Sequence, residues 1–417
     1  MTHAGAGGAD VVVVGGGPAG AATAWALARN GAEVLVLDRA RFPRGKPCAE
    51  YVSPQATRIF AEMGALEAIR RAGAAQLAGM TIHAANGLSF EGRFDAARSA
   101  GGAPRVGLSL RRELLDAIVL DRARAAGARV AEGVMVTDVL RDASGRASGV
   151  RVRDERGARD VRARIVVGAD GLRSVVGRRL GLVRSSRWPR RVAFVSHFRG
   201  VAEMREFGEM HVFRDGYCGL ANVGGGVTNA AMVVPMRAAA GASGDATGFF
   251  DGWIGAHPAL ASRFARAVRV SPVRATGPFA VRARTAWAPG AALVGDAADF
   301  FDPFTGEGIY EALRGGELLG PYLFEALRAR TPRVADEALA AYDRSRRHEF
   351  SGTWRVQRVV ALAVAFPPLM NQTARAAAGR RTVADLVVNV CSGFAPAADL
   401  LRADFLRTLV SRPSNPR

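Results

Sequence analysis

Cys48, Glu50 and Tyr51 stand almost side by side in the stretch Arg44-Gly45-Lys46-Pro47-Cys48-Ala49-Glu50-Tyr51-Val52-Ser53-Pro54. A thiol, a carboxyl and a phenol placed this closely suit proton transfer or the orientation of a reacting molecule. A thiol in an electropositive site becomes a thiolate, whereas the same thiol in a tight apolar loop is inert. The sequence leaves both readings open for Cys48, and a solvated loop remains the alternative for Glu50 and Tyr51. His197 and His211 are further candidates for a base or a substrate contact, against the default of a satisfied or surface histidine. No metal site is read from the sequence.

These groups need a scaffold, and the chain opens with one. Asp10 to Val14 is a continuous apolar run, as in a strand buried on both faces of a parallel sheet. Gly15-Gly16-Gly17-Pro18-Ala19-Gly20 follows at once. A helix is predicted over Ala21 to Ala28 and stopped by Gly31, then a second strand, Glu33 to Leu37, ends in Asp38. This is G-x-G-x-x-G between strand and helix, with an acid about 20 residues on, the fingerprint of a dinucleotide site. Gly15 lets the chain turn, Gly17 clears space for a pyrophosphate, and Gly20 lets helix and strand pack closely. The helix N-terminus offers N–H groups to phosphate, and Asp38 can accept ribose hydroxyls.

Two more glycine motifs follow strands. Arg164 to Val167 leads into Gly168-Ala169-Asp170-Gly171, and Ala291 to Val294 leads into Gly295-Asp296-Ala297-Ala298. Then Asp302-Pro303-Phe304-Thr305-Gly306-Glu307-Gly308-Ile309 opens another helix. The order G-x-G-x-x-G, G-A-D-G, G-D-A-A and P-x-x-G-x-G resembles the flavoprotein group of aromatic hydroxylases, geranylgeranyl reductases and flavin-dependent halogenases. The resemblance covers roughly residues 8 to 350.

It implies noncovalent FAD and a role for each matching residue. Gly15, Gly17, Pro18, Ala19 and Gly20 would cradle the pyrophosphate, with Asp38 and Arg39 at the adenosine end. Arg112, in an R-x-x-L-D pattern, would contact phosphate or ribityl oxygen, and Gly295 and Asp296 the ribityl chain. Pro303, Gly306, Gly308 and Ile309 would open a helix toward the flavin pyrimidine, where preorganised N–H donors stabilise the negative charge of the reduced ring. Asp170 matches the acid of the second motif; the alternative is a turn that ties the loop to the first helix.

The loop containing Cys48 is similar to the P-C-G loop of the geranylgeranyl reductases, the members this chain resembles most, although Ala49 replaces the glycine and their Y-x-W strand is absent. The halogenase marks are a lysine beyond that loop and a W-x-W-x-I-P strand. Lys46 is the last lysine in the chain, and the corresponding strand reads Gly216-Tyr217-Cys218-Gly219-Leu220-Ala221-Asn222, so halogenation ranks lowest. Monooxygenation through a flavin hydroperoxide is expected slightly ahead of double-bond reduction, with NAD(P)H as transient reductant. A flavin-binding protein without turnover is the non-enzyme alternative.

From Arg191 to Arg237 the pattern changes to strand after strand: Val192–Arg199, Glu209–Phe213, Gly219–Val223 and Thr228–Pro235, with Gly224-Gly225-Gly226 as a hairpin turn. Shorter strands near Met80–His83 and Leu88–Glu91 join them. Such a sheet facing the dinucleotide domain closes a pocket. Phe194, Phe198, Met210, Phe213, Tyr217 and Met232 are candidate lining residues beside His197 and His211. Helical patterns at 359–366, 383–390 and 397–409 form a tail expected to pack on the first domain. The fold class is therefore α/β plus antiparallel β. A discontinuous Rossmann-type FAD domain (8–78, 104–184, 276–350) would carry an inserted substrate domain (79–103, 185–275) and a helical C-terminal region (351–417).

Composition agrees. The chain has 417 residues, 49% hydrophobic, with three cysteines, which excludes a disordered chain and a disulfide scaffold. Lys46 is the only lysine among 57 basic residues, and the net charge of +19 is scattered, as a GC-rich genome would give. Its sharper reading is an anionic partner: a dinucleotide, an acidic carrier protein or a membrane surface. No nucleic-acid module is present. The N-terminus lacks the basic region of a signal peptide, and Val359–Met370 is too short and too proline-broken to span a bilayer, so a cytoplasmic protein is expected. The substrate would be a hydrophobic polyketide, aromatic or isoprenoid, and a separate reductase is an alternative electron source.

Overall fold

The computed structural model describes residues 8–94, 106–186, 188–395, 398–399 and 402. Its first layer grows from the opening motif. β1 (Ala9–Val14) pairs in parallel with β2 (Val34–Asp38) on one side and with the Gly157–Gly168 strand on the other. The parallel order continues to Arg129–Glu132 beyond β2 and to Ala291–Leu293 beyond Gly157–Gly168. Buried valines at 11, 12 and 13 explain the unbroken apolar run: both faces of β1 are covered.

Helix α1 (Pro18–Ala28) starts three residues before the predicted Ala21, because Pro18 fits the first helical turn and needs no donor. It lies against the Gly308–Arg328 helix at very short range. A Cβ on Gly316 would sit 2.8 Å from both the Ala22 Cβ and the Thr23 nitrogen. Glycine there lets two helices that both approach the glycine-rich loops share one groove.

The second layer is an eight-stranded sheet. The Arg191–Arg199, Val227–Pro235, Tyr217–Asn222 and Phe207–Val212 strands are antiparallel neighbours, and Gly79–His83 and Ser89–Arg93 extend the edge. Gly224, Gly225 and Gly226 all have positive φ, and the Val227 nitrogen donates to the Gly224 carbonyl, forming the expected hairpin.

The tail departs from expectation. One helix runs unbroken from Pro332 to Ala365, followed by Pro367–Ala377 and Arg381–Cys391. Its first half packs on the Gly308–Arg328 helix. Its second half and the next two helices pack on the second sheet, not on the first layer. Val356, Val360 and Val364 recur at one face of the helix and join Met210, Val212, Tyr217 and Ala231 in a single apolar cluster. The helix expected at 397–409 lies outside the described residues.

Candidate functional site

Between the layers lies a cavity with about 1440 Å³ of empty space, open in part to solvent. It runs from Gly17, Pro18 and Ala19 past Lys46–Tyr51 to Thr305, Gly306, Gly308 and Ile309, with Met210, Tyr217, Ala231 and Val233 on its sheet wall.

The glycine loop is built for close approach. Gly15 has φ +104, and a Cβ there would lie 2.4 Å from the Ala169 carbonyl oxygen. A Cβ on Gly20 would lie 1.8 Å from the Gly15 carbonyl oxygen. Gly17 differs: the nearest atom to a Cβ would be the Arg44 guanidinium at 3.6 Å, so its missing side chain leaves space rather than permitting contact. Asp38 is buried at the end of β2. Its two oxygens accept from the Gly16 nitrogen at 2.7 Å and the Ala40 nitrogen at 2.8 Å, which braces the loop and leaves further lone pairs. Arg39 is exposed.

Arg112 is buried and forks onto Asp116, Nε to Oδ1 at 2.7 Å and Nη2 to Oδ2 at 2.8 Å. Burial alone would lower the Arg112 pKa, but Asp116 and the neighbouring Cys48 raise it, so the guanidinium stays charged at the cavity edge. Arg44 reaches the same Asp116 at 2.9 Å. Asp296 pairs with Lys46, the only lysine, at 3.2 Å. Asp170 turns to its own downstream turn, accepting from Ser174 Oγ and the Val175 nitrogen, each at 2.6 Å. The side chain thus caps the short Val175–Arg179 helix rather than the first helix; Ala169 and Gly171, its neighbours, line the cavity.

Glu50 holds the most constrained position. It is 3% exposed and has φ 61, a left-handed backbone that a non-glycine residue keeps only when its surroundings enforce it. The enforcement is visible. Oε1 accepts from the Arg112 nitrogen at 2.8 Å, while Oε2 takes Asn229 Nδ2 at 3.0 Å and lies 2.7 Å from His197 Nε2. His197 Nδ1 in turn lies 2.9 Å from Ser271 Oγ. The imidazole thus links a buried carboxylate on the cavity wall to a hydroxyl in a half-buried loop. Cys48 Sγ accepts from the Glu50 nitrogen at 3.3 Å. Asn229 and Ser271 were invisible in the sequence; nothing marks a lone Asn on a strand or a lone Ser in a loop until the pairing register brings them together.

Tyr51 packs its ring on Gly306, where a Cβ would come within 2.4 Å of the ring and φ is +71. Burial, reinforced by Glu307, holds the Tyr51 phenol well above its usual range. Glu307 is itself buried at the start of the Gly308–Arg328 helix, and burial with the nearby Glu311 raises its carboxyl. Tyr217 lines the cavity and donates to Asp302 at 2.7 Å; Asp302 also takes Arg191 Nη1 at 2.7 Å.

Several candidate lining residues face the other way. Strand alternation places Ala193, Val195, His197, Asn229, Ala231 and Val233 toward the cavity side. Phe194, Phe198 and Met232 therefore fall on the outer face, where with Phe213 they pack beneath the Ala246–Gly255 and Pro258–Phe264 helices. His211 is on that outer face too, 2.9 Å from Glu209 and stacked on His83. Burial would raise the Glu209 carboxyl, but hydrogen bonds from His211 and Arg263 hold it down at about 2. Arg263 forks onto Glu209, so this His83–Glu209–His211 group already has its cation.

The profile of the FAD binding domain family matches residues 8–354, and the chain belongs to that family. It is 33% identical over 325 residues to digeranylgeranylglycerophospholipid reductase 2 of Methanopyrus kandleri, spanning 76% of this chain and 77% of the other. It is 36% identical to the menaquinone reductase of Mycobacterium tuberculosis over 194 residues, 46% of this chain and 44% of that one. Among solved structures, the myxobacterial chondrochloren halogenase CndH superposes with TM-score 0.76 at 24% identity, covering 98% of this chain and 91% of that chain. A geranylgeranyl bacteriochlorophyll reductase-like protein of Thermoplasma acidophilum gives 0.75 at 22%, covering 98% and 97%. These two show the shared fold. The protein is an FAD-dependent oxidoreductase, and the cleft fits its cofactor: Gly17 leaves open the place a side chain would fill, at a helix N-terminus beside a buried acid.

Proposed function

We propose that this chain reduces a carbon–carbon double bond in a hydrophobic, isoprenoid-like molecule, with NAD(P)H as transient reductant. In this reading Gly15–Gly20 and Asp38 hold the adenosine diphosphate part of FAD, with Arg39 at the rim. Arg112, Gly295 and Asp296 lie toward its ribityl chain, and Pro303 and Gly306–Ile309 meet the flavin. Bound FAD supplies hydride transfer. Saturating a double bond also takes one proton, which an apolar cavity must import.

The observation that carries this reading is Glu50, a buried carboxyl on the cavity wall whose Oε2 lies 2.7 Å from His197. His197 passes a proton through Glu50 to the substrate carbon, and Ser271 with solvent restores His197. The His197 side chain is 18% exposed, enough to reach water without opening the cavity. Tyr51, with its phenol pushed up by burial, holds the Gly306 turn and is a poor donor. Cys48 orients Glu50 by accepting its N–H. Relatives at least 30% identical that span three-quarters or more of the chain are named as digeranylgeranylglycerophospholipid reductases, which supports reduction over the oxygenation expected from sequence.

The test is anaerobic. Protein reduced with stoichiometric dithionite is mixed with a geranylgeranyl lipid under argon. Flavin reoxidation without oxygen supports the reading, and a lipid that is unchanged under argon but gains an oxygen atom once air is admitted replaces it with monooxygenation. His197→Asn should slow the anaerobic step at least about a hundredfold, the lower end of what general acid–base groups contribute, with rescue by added imidazole.

A further inference from the structure

The C-terminal helices have two apolar sides, and packing on the second sheet accounts for one of them. Val356, Val360, Val364 and Met370 face inward, into the cluster that includes Met210, Tyr217 and Phe304 of the cavity wall. Val359, Leu362, Phe366 and Leu369 face outward, 56%, 43%, 58% and 42% exposed. Among the described residues these are four of the eleven exposed large apolar side chains, gathered on one corner. Phe366 forms that corner. It ends one helix and precedes the next, with φ −120 and ψ 88, and Pro367 prevents the two from merging. Val359, Leu362 and Phe366 follow helical spacing, so they form a stripe rather than a scatter.

The charge along this stretch of the chain is one-sided, although Arg381 pairs with Asp385 at 3.8 Å. Between Glu349 and Asp385 the sequence has no acidic residue and five arginines: Arg355, Arg358, Arg375, Arg380 and Arg381. Arg355 and Arg358 are exposed beside Val359. The chain as a whole carries 38 acidic residues against 57 basic, so an acid-free stretch of this length is a local feature.

We infer that this helical corner rests on an anionic lipid bilayer, with Phe366 and Leu369 at the apex in the acyl boundary and the arginines at the headgroups. An acidic protein would satisfy the arginines and leave four apolar side chains in water, whereas an anionic bilayer satisfies both. Among the described residues no helix is long and apolar enough to cross a membrane, so the contact lies in the interface plane. On their inner side the same helices pack against Met210, Tyr217 and Phe304, which line the cavity, so a bilayer on their outer side lies one helix layer from that space. The inference stands on surface residues alone and is independent of the reaction proposed above.

The experiment is co-sedimentation of the full FAD-loaded chain with vesicles of phosphatidylglycerol and phosphatidylcholine, compared with pure phosphatidylcholine. Binding to the anionic vesicles, weakened by salt, is expected. Arg355→Glu with Arg358→Glu should reduce the partition by at least about 25-fold, at roughly fivefold for each arginine. Phe366→Asp should reduce it at least about tenfold, the loss of one buried aromatic. Leu369→Ser is a milder second variant expected to act in the same direction. All are surface changes, and flavin absorbance and circular dichroism report whether the fold is kept. Absence of anionic-vesicle binding, binding unaffected by these substitutions in folded protein, or a self-associated dimer that Phe366→Asp dissociates and that ignores vesicles would each overturn the inference.

Discussion

Replacing Asp302 with Ala should be among the most damaging single changes away from the glycine loops. Its carboxylate is 2% exposed and accepts three hydrogen bonds: Arg191 Nη1 at 2.7 Å, the Tyr217 hydroxyl at 2.7 Å and the Phe304 nitrogen at 3.1 Å. The Arg191 side chain is 8% exposed and without Asp302 keeps a 3.3 Å contact to the Ala361 carbonyl and a place over the Tyr217 ring at 5.8 Å, neither of which offers it a counter-charge. Removing the carboxylate strands a guanidinium out of water, a loss of about 3–5 kcal/mol. The orphaned Tyr217 phenol would add about 1–3 kcal/mol if it acted alone. The two share one partner, so the sum is not additive, and about 4 kcal/mol is expected. Urea unfolding followed by far-ultraviolet circular dichroism measures it. The double change Arg191→Met with Asp302→Leu should recover most of the loss, because it removes both charges rather than stranding one. FAD affinity should fall in Asp302→Ala as well, since Asp302 caps the Pro303–Thr305 turn that leads into Gly306. A variant within about 1 kcal/mol of wild type would refute the assignment of this trio as a buried, mutually dependent network.

Other changes separate folding from cofactor binding. Gly17→Ala should leave apo stability within about 0.5 kcal/mol, because its Cβ would make only an ordinary 3.6 Å contact with the Arg44 guanidinium, yet weaken FAD binding measured by flavin fluorescence. Gly20→Ala should abolish soluble expression, since its Cβ would lie 1.8 Å from a backbone oxygen. Asp296→Ala should strip FAD from the purified protein; full retention would contradict its placement. Burial, then Asp299 and Asp296, raise the Glu311 carboxyl from 4.5 to about 8. Between those values the native state holds a proton the unfolded state has released, so this group makes stability fall as pH rises through that window and lose no more above it. Glu311→Gln should flatten the pH dependence of thermal unfolding between pH 5 and pH 8, and an unchanged slope would remove Glu311 as its source.

The parallel layer was legible because its signals are local: an apolar run, a glycine loop and an acid follow one another in the chain. The strands from Arg191 to Pro235 were legible for the same reason, through alternation. Which face of that sheet meets the cavity was not. Alternation separates Phe194 from Val195 but does not say which one lies inward, and the covering helices at 246–264 decided it. The tail shows the same gap, because a stripe at Val356, Val360 and Val364 demands a partner without naming it. Glu50 lay in a recognisable loop, but its positive φ and its link to His197 join positions 147 apart in sequence, set by how the loop crosses the sheet.

A single turnover in heavy water under argon, with the product analysed by mass spectrometry, tests double-bond reduction most directly. FAD-loaded protein reduced in advance is given a geranylgeranyl lipid. The expected product has gained two hydrogens, at least one of them a carbon-bound deuterium drawn from solvent, and no oxygen. An unreacted lipid under argon that gains an oxygen atom once air is admitted would contradict it.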